Sequence, residues 1–104
     1  MSTGSAQVVV RDNPEALRYE LVVDGDIAGE ILYRRSPDRI ALVHTEVSPS
    51  LEGRGLGSRL VAGALDDVRA QGLRAVPICP FVRSYIRRHP EYGDLVVSDT
   101  QPGD

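Results

Sequence analysis

Three glycines at alternate positions, Gly53, Gly55 and Gly57, lie between a hydrophobic run and an amphipathic one. Glycine admits positive φ and leaves no Cβ between the backbone and a ligand. The first N–H groups of a helix have no intrahelical partner and carry the positive end of its dipole. A loop of this kind suits an anion such as a pyrophosphate. Arg54 adds a fixed positive charge between two of the glycines. The candidate binding residues are therefore Val47, Gly53, Arg54, Gly55, Leu56, Gly57 and Ser58. A plain glycine-rich turn would leave the same pattern.

Cys79 stands between Ile78 and Pro80 and is the chain's one cysteine. A thiolate becomes a nucleophile when a base, a cation or a helix N-terminus lowers its pKa. A helix opening at Pro80 would supply the last of these. A buried free cysteine is equally a small apolar filler. His44 and Glu46 lie two residues apart, and either can serve as a general base. A structural histidine and an arginine-paired carboxylate are the plainer readings. The chain has no lysine, so a Walker A loop is excluded. The spacing Gly-x-Gly-x-Gly also differs from the dinucleotide fingerprint. No metal is expected.

These residues need elements to hold them. Residues 7–11 read as a strand and Asn13-Pro14-Glu15-Ala16 as a turn. Arg18 to Val23 reads as a second strand, with Tyr19 and Leu21 on one face. Asp24-Gly25-Asp26 is a hairpin signal. Residues 27–35 return as a third strand, with Gly29 a candidate bulge. Arg39 to Val47 is a fourth. The two-residue period puts Ile40, Leu42, His44 and Glu46 on one of its faces. Leu56 to Gln71 is the main helix, its stripe made of Leu56, Leu60, Val61, Ala64, Leu65 and Val68. Gly72 stops it. Gly63 inside it costs about 1 kcal/mol relative to Ala, which implies close approach to the sheet or to a ligand. Leu73 to Ile78 is a fifth strand, parallel to the fourth because a helix joins them. Pro77 removes a ladder donor and lets strands four and five separate. Pro80 to Arg88 is a second helix, and 95–97 a short final strand.

The strand ending Val47-Ser48-Pro49, followed by Gly55-Leu56-Gly57, resembles the acetyl-CoA loop of the GNAT superfamily of N-acetyltransferases. Glu52 stands where that family has Gln or Arg. His44-Thr45-Glu46-Val47, Pro77-Ile78-Cys79-Pro80-Phe81-Val82 and Tyr85-Ile86-Arg87-Arg88-His89-Pro90-Glu91-Tyr92 resemble a subgroup of small GNAT-like proteins. The resemblance implies a mixed α/β sheet of the acyl-CoA N-acyltransferase fold, without the helices that usually follow the first strand. It implies acetyl-CoA as substrate and acetyl transfer to an unidentified amine. The pantetheine arm would enter between strands four and five, with Thr45, Glu46, Val47, Ile78 and Cys79 around the acyl group. Cys79, His44 and Glu46 become catalytic candidates. Tyr85 becomes a proton donor to the CoA thiolate, and Arg83 a contact for the 3′-phosphate of CoA. A CoA-binding sensor or interaction module without transferase activity is the alternative.

The chain has 104 residues, 41% apolar and 26% charged, which fits one globular domain over 7–97 with flexible termini at 1–6 and 98–104. A net charge of −3 gives no reason to expect nucleic-acid or membrane affinity. One cysteine fits a reducing, cytoplasmic setting. A monomer or weak dimer is expected.

Overall fold

The hairpin signals build most of the sheet. A computed structural model describes residues 7–51 and 53–97. The termini expected to be flexible, and Glu52, lie outside the described residues. Strands β1 (Val8–Asn13), β2 (Arg18–Val23), β3 (Asp26–Arg35) and β4 (Arg39–Val47) follow one another antiparallel. β1 passes to β2 through a short turn, with no helix between them. Asp24 and Gly25 both have positive φ, as a two-residue hairpin turn of this twist requires. Helix α1 (Leu56–Ala70) then carries the chain to β5 (Arg74–Pro77), which pairs parallel with β4. Helix α2 (Pro80–Arg88) and a 3₁₀ segment over Pro90–Leu95 close the described chain.

The six residues of the predicted stripe are the buried residues of α1. They pack on Tyr19, Leu21, Ile31, Tyr33, Ile40 and Leu42 of the sheet. Burying one Leu or Val side chain contributes about 1.5–3 kcal/mol relative to exposure. Two hydroxyls add direction: Tyr19 donates to Asp67 on α1 at 2.7 Å, and Tyr33 donates to Asp12 on β1 at 2.6 Å. Gly63 explains itself by contact with the sheet, because a Cβ there would lie 2.6 Å from Val10 Cβ.

Three expectations need correction. The irregularity near Gly29 falls on Ala28, since Leu21 pairs with Gly29 and Val22 with Ile27. The last strand shrinks to one parallel bridge, Ala75 to Val96, because 3₁₀ turns occupy the residues up to Leu95. Most important, β4 does not alternate evenly. Leu32 pairs with His44 and Tyr33 with Leu42, so Val43 is an extra residue. A bulge of one residue exchanges the faces beyond it. Thr45 and Val47 therefore share the helix-covered face with Ile40 and Leu42. His44 and Glu46 share the opposite face with Leu32 and Glu30.

Candidate active site

β4 and β5 pair from Arg39↔Arg74 to Leu42↔Pro77 and then part. The parting comes at Pro77, the residue the sequence singled out for it. Two features cause it. Pro77 has no N–H to continue the ladder, and the Val43 bulge turns β4 away. The Cys79 N–H still reaches Leu42 O at 2.9 Å, which fixes the start of α2 at the mouth of the gap. Beyond this point the β5-side edge of residues 43–47 has no strand partner among the described residues.

A cavity of about 420 Å³ adjoins this edge. Its wall brings together Val47, Gly53, Gly55, Leu56, Gly57 and Ser58, all singled out from the sequence. Gly53 and Gly55 have φ of 87° and 73°, the left-handed region that favours glycine. The first helical bond of α1 runs from Arg59 N–H to Gly55 O. The N–H groups of Leu56, Gly57 and Ser58 are left without intrahelical partners at the positive end of the helix. Arg54 is exposed between the two lining glycines and makes no ion pair among the described residues. Gly57 has a separate reason to be glycine: a Cβ there would stand 2.9 Å from the Phe81 ring.

Thr45, Leu51 and Phe81 complete the wall. Thr45 was expected around the acyl group, and the bulge is what turns it inward; Leu51 and Phe81 did not stand among the candidates. Phe81, 41% exposed at the start of α2, carries the one available signal, an apolar ring at an exposed helix terminus.

Cys79 is buried, and its thiol donates to Thr45 Oγ1 at 3.4 Å. It occupies the N-cap of α2, where the neutral thiol makes no cap hydrogen bond. Burial pushes the thiol's pKa up. The Thr45 hydroxyl and the backbone amides of Val82, Phe81 and Thr45 outweigh burial and hold the pKa below its ordinary value.

The other candidates stand apart from this cavity. His44 and Glu46 are exposed on the opposite face. Tyr85 is buried and stacked on His89, with centroids 4.1 Å apart, and does not line the cavity. Burial, with the charges of Glu91 and Asp66, raises its pKa against the opposing effect of Arg88. Arg83 does not line the cavity either. Its Nη1 donates to Ile78 O at 2.7 Å and Pro77 O at 3.3 Å, which ties α2 to the end of β5. No group of three or more His, Cys, Asp or Glu among the described residues could hold a metal ion. No helix among them is long and apolar enough to cross a membrane.

A GCN5-like protein from Staphylococcus aureus, solved in solution, superposes with a TM-score of 0.65 over 91% of this chain and 93% of its own. At 22% identity that likeness shows the fold. Protein NATD1 of Gallus gallus and of Homo sapiens is 36% identical over 61 residues, which is 58% of this chain. The match covers 56% and 54% of those proteins, so the chain spans about half the length of these curated relatives. The family model for GCN5-related N-acetyl-transferase matches residues 18–95. With most of its length matched, this chain belongs to the GCN5-related N-acetyltransferase family.

Proposed function

We propose that the chain binds acetyl-CoA in the cavity at the start of α1 and transfers its acetyl group to an amine. One observation carries the reading. The free N–H groups of Leu56, Gly57 and Ser58 and the unpaired edge of β4 border the same cavity. The pyrophosphate would lie on those N–H groups with Arg54 beside it. The pantetheine amides would pair with β4 like an added strand. The thioester would then reach Thr45 and Cys79. Arg83 ties α2 to the β5 side of the gap through Pro77 O and Ile78 O.

Two routes balance. In the direct route Glu46, or a water it or His44 holds, takes a proton from the acceptor ammonium. The amine nitrogen attacks the carbonyl carbon, an N–C bond forms and the C–S bond breaks. The nitrogen's second proton passes to the CoA thiolate, with Tyr85 the remaining acid on α2 that could relay it. In the relay route the Cys79 thiolate attacks first, the C–S bond to CoA breaks and CoA leaves with the proton that Cys79 lost. The amine, deprotonated by the same base, next displaces the Cys79 sulfur, which takes back the nitrogen's second proton. A CoA-binding module without turnover is favoured by the seat of Tyr85, stacked on His89 outside the cavity wall.

Calorimetry with CoA and acetyl-CoA tests the site, and acetylation of an amine panel tests transfer. The wild type should bind both ligands. The folded double variant Gly55→Val, Gly57→Val should bind neither, because side chains there fill the phosphate loop. Wild-type affinity in that variant would sink the site. Tight binding with no acetylated amine would establish the module.

A further inference from the structure

A second cavity, of about 450 Å³, lies on the other side of β4. Ile27, Ala28, Glu30, Glu46, Val47 and Pro49 line it, and it shares Val47 with the first cavity. Glu30 and Glu46 are direct cross-strand partners, so their Cβ atoms stand about 4.5–5.5 Å apart. The charges along this row do not balance. Arg11 Nε donates to Glu20 Oε1, and Arg18 spans Glu20 and Glu30, each contact at 2.8 Å. Two guanidiniums thus face three carboxylates, and Glu46 makes no ion pair among the described residues. Arg18 reaches one oxygen of Glu30, which fixes that carboxylate and leaves its other oxygen free. Ile27, 49% exposed, gives the cavity an apolar wall with Ala28 and Val47.

We propose that this cavity takes the acceptor, and that the acceptor is a short alkyl diamine. One amine lies at Glu46 beside Val47, the distal ammonium lies on Glu30, and the methylenes lie on the Ile27 wall. The proposal rests on the acetyl-transfer reading above and names its substrate class. Two carboxylates on adjacent strands match the span of a short diamine. An amino acid would bring a third carboxylate against these two, a juxtaposition that selects against it. The ammonium at Glu46 gives a proton to that carboxylate, its nitrogen bonds the acetyl carbon as the C–S bond breaks, and the nitrogen's second proton leaves with CoA as the thiol. The product is the mono-acetylated diamine, which keeps its charge on Glu30.

Putrescine and n-butylamine are the probes, since they differ by one ammonium. Amide shifts in an NMR titration should map putrescine binding to residues 27–30 and 46–48, with or without acetyl-CoA. Putrescine should bind up to about fivefold tighter than n-butylamine at low salt, as one partly exposed ion pair allows, and the advantage should fall as salt rises. Glu30→Gln should cut the ratio of kcat/KM for the two amines about fivefold. Arg18 keeps Glu20 as a partner in that variant. Equal affinity for the two amines, or shifts confined to other residues, would overturn the proposal even where acetyl-CoA binds. Putrescine bound at these residues in a protein that ignores acetyl-CoA would overturn the transfer reading and leave the diamine site standing.

Discussion

Gly63→Ala separates two reasons for a glycine inside a helix. The added Cβ would stand 2.6 Å from Val10 Cβ and 2.8 and 2.9 Å from its two methyls. Carbon atoms rest about 3.5–4.0 Å apart, so α1 and β1 must part by roughly 1 Å. Val10 is β-branched and stiff at χ1, and its own Cβ is the nearest atom, so no rotamer relieves the clash. Overpacking of this kind costs about 1–3 kcal/mol. Alanine returns about 1 kcal/mol of helix propensity. The net expectation is a loss of about 1 kcal/mol, taking the middle of that range. Urea unfolding followed by circular dichroism measures it. With m of at least about 1 kcal/mol/M the midpoint should fall by up to about 1 M. Propensity alone predicts a rise instead, and the two outcomes differ by about 2 kcal/mol. A midpoint at or above that of the wild type would refute the packing argument. A raised midpoint together with weakened acetyl-CoA binding would mean that the glycine serves the ligand.

Two further tests follow. Asn13 and Arg11, with Arg18, hold the Glu20 carboxyl down to about 2 from the ordinary 4.5, against the opposing effect of burial. Its contribution is therefore present above about pH 4.5 and lost as pH falls toward 2, trimmed by screening because Arg11 stays 55% exposed. Glu20→Gln should flatten stability against pH across that window, and parallel wild-type and variant curves would refute the assignment. If Cys79 relays the acetyl group, acetyl-CoA alone should leave a hydroxylamine-sensitive adduct on this sole cysteine, and Cys79→Ser should lose turnover while keeping CoA affinity. Thr45→Val should raise the thiol pKa and slow loading at neutral pH, with Thr45→Ser restoring it. No adduct, with full turnover in Cys79→Ser, would leave direct transfer.

The sequence spoke clearly where one local rule decided the outcome. The stripe of α1 was legible because six apolar residues repeat at the helical period with nothing competing. Asp24-Gly25 was legible because few other pairs accept positive φ twice in succession. The glycine loop was legible as a turn because Gly53 and Gly55 take the positive φ that glycine accepts. The Val43 bulge was not. No glycine or proline marks it, and the alternation from Ile40 to Val47 reads as unbroken. Only pairing with β3 shows that one residue is extra. The buried state of Glu20 was equally silent, because its cover comes from Arg11, Asn13 and Arg18, three residues that read as a solvated face.

That one bulge also accounts for how the two cavities are arranged. Leu42 is the last β4 residue paired with β5, and Val43 is the residue inserted next. The ladder therefore ends where the faces exchange. Without the insertion, Glu46 would project toward α1 and set a carboxylate beside the loop suited to an anion. With it, Thr45 and Val47 face that loop and Glu46 faces the second cavity. The two cavities then meet at Val47, with opposite electrostatic character on the two sides of one extended strand. In the proposed reaction an anionic donor and a cationic acceptor need those two sides. Each is kept from the other's pocket by charge, and the two pockets share Val47.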